Sequence, residues 1–190
     1  MIFALSGPSG IGKGFAKEAI LEQNPEIKEA VWYTTRELRP GEKNRKSLPG
    51  IEFTALHHNE KLVLVQELFG HRYGILKSFL TTDGDILTEI HPFVAGEAKK
   101  INPDIVLIGM VTDDIDLLRE RLAQKRKTES PEEIEKRVAT AKREIEAIRE
   151  NYQLFDTIIA ISRETEGSVG KMAQSLFKIF SEGGKKNASN

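Results

Sequence analysis

The chain has 190 residues, 39% of them hydrophobic and 30% charged, with a formal net charge of -1 and no cysteine. That balance fits one globular domain with a continuous core, and excludes a disordered chain, a surface built to coat nucleic acid, disulfides and thiolate chemistry. No apolar run approaches the roughly 20 residues of a bilayer span, and the start "MIFAL" lacks the basic flank of a signal peptide, so no membrane partner is expected and the cytosol is the expected compartment.

In chain order, runs apolar on both faces occur at 2–6, 30–34, 85–90, 104–111 and 156–161. Stretches with helical spacing at 13–23, 92–101, 113–125, 131–150 and about 166–181 follow most of them. Strands buried on both faces and joined through helices predict an α/β fold, a five-stranded parallel sheet between two helix layers. Between 35 and 83 the pattern changes to a polar loop, "RELRPGEKNRKSLPG", and short apolar runs at 62–69 and 72–76, read as a small inserted lobe. The best-marked helix starts at 131, where Ser130, Pro131 and Glu133 spell an N-cap, a first-turn proline and a capping box. Its apolar stripe is Ile134, Val138, Ala141, Ile145, Ile148 and Tyr152. The polar tail 183–190 is expected to fray.

The first strand runs into Gly7, Pro8, Ser9, Gly10, Ile11, Gly12 and Lys13, which match G-x-x-x-x-G-K. Glycines at these positions let backbone N–H groups converge on one anion, the following helix adds partial positive charge, and the lysine reaches β and γ phosphates. Gly14 stands where a hydroxyl that ligates Mg²⁺ usually follows. The expectation is MgATP, with the metal held by phosphate oxygens, water and an acidic residue at a neighbouring strand end, for which Glu89 is the candidate.

Further on, Arg36 and Arg39 stand three apart in "TTRELRPGE", close enough to grip one phosphate with paired guanidinium forks. Tyr73, between glycines in "GHRYG", is placed to reach the same phosphate. His57 and His58 are adjacent and read as the start of a surface helix rather than a metal site. His91 at a strand end either contacts substrate or caps the next helix.

Together "GPSGIGK", "TTRELRPGE", "GHRYG", "ILTEIH" and "RLAQKRKTESPEEIEKRVATAKREI" resemble, in order, the motifs of the guanylate kinase family. The resemblance implies that Lys13 and the loop amides hold ATP phosphates, that Arg36, Arg39 and Tyr73 hold a monophosphate, and that Arg121, Arg126 and Arg137, in a lid over 120–137, close over the transferring group. It implies a monomer or weak homodimer acting on a small molecule.

The likeness fails where guanine would be read. The family's glutamate falls on Leu64, its hydroxyl residue on Trp32, its second carboxylate on His91 and its tyrosine after the arginine loop on Ile51, and its nucleobase-contacting asparagine near Ile161 is missing. Gln66, on the face of Leu64 if the strand alternates, is the candidate to read a base instead. The phosphate-handling parts thus point to a kinase for GMP or another nucleoside monophosphate. A phosphosugar kinase is the alternative, since ribose-bisphosphate kinases also carry an aromatic near the T-R stretch, as "WYTTR" does. A noncatalytic binding module is the alternative of another class.

Overall fold

The computed structural model describes residues 1–187, with side chains for 1–182. Its centre is strand β1, Ile2–Ser6, whose five residues are all buried, as a run without polar alternation requires. The parallel sheet has the order β2-β7-β1-β8-β9, with β2 Lys28–Glu29, β7 Ile86–Glu89, β8 Val106–Val111 and β9 Thr157–Ala160. Helices α1 (Lys13–Gln23) and α7 (Val169–Asn187) pack against one another, and Phe3 meets Phe177 edge-on at 5.3 Å.

Register places the functional ends together. Leu5 lies opposite Glu89 on β7, and Ser6 opposite Gly109 on β8, so the loop after β1 opens at the carboxyl edge of the sheet. Gly7 begins that loop. A Cβ there would stand 2.5 Å from the Met110 carbonyl oxygen, so only glycine lets the turn pass this close to β8.

The run 30–34 is not one core strand. Lys28–Glu29 joins the parallel sheet, Ala30 still donates to the Leu87 carbonyl, and the chain then crosses into a second sheet through β3, Trp32–Thr34. Ala30 and Trp32 are both buried at the junction of the two sheets, so apolarity alone could not say to which sheet they belong. The second sheet has the order β4-β3-β6-β5, with β4 Arg45–Ser47, β5 Leu62–Leu68 and β6 His71–Leu76. Helix α2, Gly50–His58, covers it and ends, rather than starts, at His57 and His58.

Helix α3, Lys77–Leu80, carries the chain from β6 toward β7, after which His91 caps a short 3-10 turn, Pro92–Val94, that leads into α4, Ala95–Ile101. Helix α5 spans Ile115–Lys125 and α6 Pro131–Glu150. The capping box at Ser130 and Glu133 is formed in both directions. The α6 stripe is buried from Ile134 to Ile148, but Tyr152 falls in a 3-10 turn past the helix and is 67% exposed. The tail expected to fray continues as α7 to Asn187, and 188–190 lie outside the described residues.

Candidate functional site

Gly12 caps α1 with φ 115°, a left-handed conformation suited to glycine, and so turns the loop into the helix. Lys13 at the first helical position curls back, donating from Nζ to the carbonyls of Gly7 at 2.7 Å and Pro8 at 3.0 Å. Its ammonium is 4.0 Å from Glu89. Burial pushes the Lys13 pKa below the usual lysine range, and Glu89 opposes that shift.

Glu89 ends β7 beside the loop. Burial works to raise its carboxyl pKa, but Lys17 and Lys13 overcome burial and hold it at about 2. One oxygen accepts from Lys17 at 2.9 Å. Gly14 contributes no oxygen, although a Cβ there would meet nothing within 4 Å, so space is not the reason a hydroxyl is missing. Among the described residues no three acidic or imidazole groups cluster as a metal site. The donor set therefore fits a Mg²⁺ ion carried in on phosphate oxygens with Glu89 as its one carboxylate neighbour, and does not fit an ion held by the protein alone.

A cleft with about 820 Å³ of free space, open to solvent, joins this loop to the second sheet. Lys13, Arg36, Arg39, Arg45, Arg126 and Arg137 all line it, against Glu89 and Glu144. Burial and the repulsion of neighbouring guanidiniums push Arg39 and Arg126 below the usual arginine range, so an anion placed between them relieves a standing electrostatic cost. Glu42 organises the nearer three: it pairs with Arg36 at 2.7 Å, accepts from the Arg39 backbone at 2.9 Å and lies 3.5 Å from Arg45. Tyr73 on β6 lines the cleft with Arg36, and Arg45 lies over its ring at 5.8 Å.

The opposite side is built around Glu129, which binds the Arg137 fork and stands 3.9 Å from Arg126. Phe69, at the tip of the β5–β6 hairpin with φ 53°, stacks on the Arg137 guanidinium at 4.3 Å, so the start of α6 rests on the second sheet. Arg121 stands apart from the other arginines. It lies behind the phosphate loop, donating to the Gly10 and Ile11 carbonyls at 3.1 and 3.2 Å and pairing with Glu166 at 2.5 Å.

Gln66 lines the cleft opposite Tyr73 in register, and its Oε1 is buried without a hydrogen-bond donor among the described residues. A β-bulge between Val63 and Gln66 breaks the alternation that would have put Leu64 on the same face. Leu64 takes φ 52° and is fully buried in the core. Trp32 lines the cleft and donates from Nε1 to Thr88 at 3.2 Å. His91 does two jobs: its Nδ1 accepts from the Phe93 backbone at 3.4 Å, and its Nε2 faces Glu144 in the cleft wall. Ile51 is 86% exposed on α2, and Ile161 is buried in the core.

The sequence reading passed over Lys17, Arg45, Phe69 and Glu144. Lys17 had a signal, its four-residue spacing from Lys13 on one helix face. Arg45 lay in "KNRK", which reads as a solvated basic loop, and Glu144 in a helix dense with charge.

A glycine-capped phosphate loop at the carboxyl edge of a parallel sheet, facing an arginine-lined cleft, defines an α/β P-loop fold shaped for phosphate groups. No protein-family model matches the chain. A guanylate kinase of Desulfitobacterium hafniense (strain Y51) is 35% identical over 162 residues, covering 79% of this chain and 78% of that protein. The crystal structure of guanylate kinase from Anaplasma phagocytophilum superimposes with a TM-score of 0.69 at 22% identity, over 96% of this chain and 85% of that one. A gluconokinase from Sinorhizobium meliloti 1021 shares the fold more distantly, with a TM-score of 0.54 at 13% identity over 95% and 94% of the two chains. The chain belongs to the guanylate kinase family.

Proposed function

We propose that this protein transfers the terminal phosphoryl group of ATP to a nucleoside monophosphate, with GMP the leading acceptor. The observation that supports this most is the meeting, in one cleft, of the Lys13 loop with Arg36, Arg39 and Arg45 on one side and Arg126 and Arg137 on the other. An ATPase needs the first of these groups; the rest are cations for a second phosphate. A phosphomonoester with a second pKa near 6 is already ionised at neutral pH, so the acceptor oxygen needs no general base. What opposes reaction is charge repulsion between two phosphates brought into line. The guanidiniums offset it, and arginines so placed are worth about 10³ to 10⁵ in rate. Bound Mg²⁺ supplies further neutralisation of the triphosphate.

The family supports GMP, and so does the acceptor chemistry of the cleft. Guanine's Watson–Crick edge offers N–H donors, and the cleft presents two oxygen acceptors, Gln66 Oε1 and the Glu144 carboxylate. These stand in for the glutamate lost at Leu64. Arg121 serves from behind, fixing two carbonyls of the phosphate loop rather than touching the transferring group. A phosphosugar is the second reading, favoured by the absence of any carboxylate at position 64, since sugar hydroxyls can also donate to Gln66 and Glu144.

A panel of GMP, AMP, CMP, UMP and ribose phosphates, assayed for ADP release with MgATP, tests the reading. GMP should give the highest kcat/KM. Preference for a ribose phosphate would select the second reading, and no turnover with any acceptor would favour a binding module.

A further inference from the structure

Lys17 is 5% exposed on α1, one turn beyond Lys13, and its ammonium bridges two carboxylates. One is Glu89 at the phosphate loop. The other is Glu29, on the edge strand of the core sheet, whose Oε1 also accepts from the Asn44 side-chain amide at 2.9 Å. Asn44 in turn accepts the Trp32 backbone N–H at 3.1 Å through its carbonyl, and it immediately precedes Arg45 in the cleft. Polar contacts thus run from Glu89, 4.0 Å from the Lys13 ammonium, through Lys17 and Glu29 to the arm that carries the acceptor-side arginines.

An apolar residue at position 17 would bury as well, but it would leave Glu29 and Glu89 without the cation they share. A buried ammonium is costly unless its partners are well placed, so a pair of this kind adds little net stability, and in some proteins it serves to fix one geometry. The bridge also joins two parts that the chain connects through the short crossing at Ala30 and Val31 and through the return from β6 to β7.

We infer that Lys17 is a positioning residue that sets the acceptor arm relative to the phosphate loop, through Glu29 and Asn44. This rests on the reading of the arm as the acceptor site. Loss of the bridge lets Asn44 and Arg45 drift while Lys13 and the loop amides stay in place, so the cost falls on the acceptor and not on ATP.

The variants Lys17→Met, Lys17→Arg and Asn44→Ala test it with three readouts: the MgATP dissociation constant by calorimetry, acceptor KM and kcat, and binding of inorganic phosphate to the arm under saturating MgATP. The last is followed by emission of Trp32, the one tryptophan of the chain, and must vanish in Arg39→Ala. Lys17→Met and Asn44→Ala should each weaken phosphate binding and raise acceptor KM by about five- to twentyfold, with MgATP affinity within twofold of wild type. Lys17→Arg should recover at least half of the loss on a logarithmic scale. Lower melting temperatures with unchanged phosphate affinity and acceptor KM would mark Lys17 as structural only and overturn the inference, as would equal losses for MgATP and phosphate. If Lys17→Met does not fold, Asn44→Ala decides alone, since it removes only the last link. Absence of turnover in the wild type would count against the kinase reading, while the phosphate titration would still measure the coupling.

Discussion

Arg36 donates from a single nitrogen, Nη2, to both oxygens of Glu42, at 2.7 and 2.9 Å. The same carboxylate receives the Arg39 backbone N–H and lies near Arg45, so three arginines that would repel one another are set in place by one anion. Glu42→Gln keeps the shape and removes the charge. It should raise acceptor KM about tenfold, equivalent to ~1.4 kcal/mol, and leave MgATP affinity unchanged. Initial-rate kinetics with each substrate varied separately will show the split.

Gly14 has open space where its side chain would be. Gly14→Ser adds the missing hydroxyl at the second residue of α1, where serine is also the better helix former by about half a kcal/mol. The variant should melt at or slightly above the wild-type temperature and bind ATP roughly three- to tenfold tighter at limiting Mg²⁺, with no gain in EDTA. Calorimetric titrations with and without metal separate the two terms.

Leu64 cannot be turned back into the family's glutamate. Its side chain points into the core from a bulged, left-handed backbone, so Leu64→Glu would bury an unpaired carboxylate. The expected cost is about 3–5 kcal/mol, or a fall of roughly 10 °C in Tm, without improved selection of GMP. Thermal unfolding and the acceptor panel measure both parts.

The segment before α6 carries its own acid sensitivity. Glu129 is held below its ordinary value of 4.5, first by its hydrogen bonds from Arg137 and then by the charges of Arg137 and Arg126. A depressed carboxyl contributes stability that is present above its unfolded pKa and is lost as pH falls through the folded one. The wild-type chain should therefore lose stability below about pH 4.5, and Glu129→Gln should flatten that decline. Chemical denaturation across pH 3 to 6 gives the comparison.

The phosphate side of the site was legible in the chain because a loop that must pack glycine against Met110 and present backbone N–H groups has few possible spellings. The paired arginines of the arm were legible for a similar reason. The base-reading side was not. Whether Gln66 or Leu64 faces the cleft is decided by a bulge, and strict alternation carries no sign of one. Lys17 escaped notice because a lysine in an amphipathic helix ordinarily faces water, and its two carboxylate partners lie 12 and 72 residues away in sequence. The run at 30–34 showed the limit of apolar patterning, since both sheets bury it.

The central claim is that one cleft aligns a triphosphate with a second phosphate, and transfer of label from γ-³²P-ATP tests it most directly. The wild-type chain should place the label on the acceptor, Lys13→Ala should transfer at least about 10³-fold more slowly, and Arg39→Ala should recover transfer only at high acceptor concentration. Label released solely as inorganic phosphate with every acceptor, or equal transfer by all three proteins, would contradict the account.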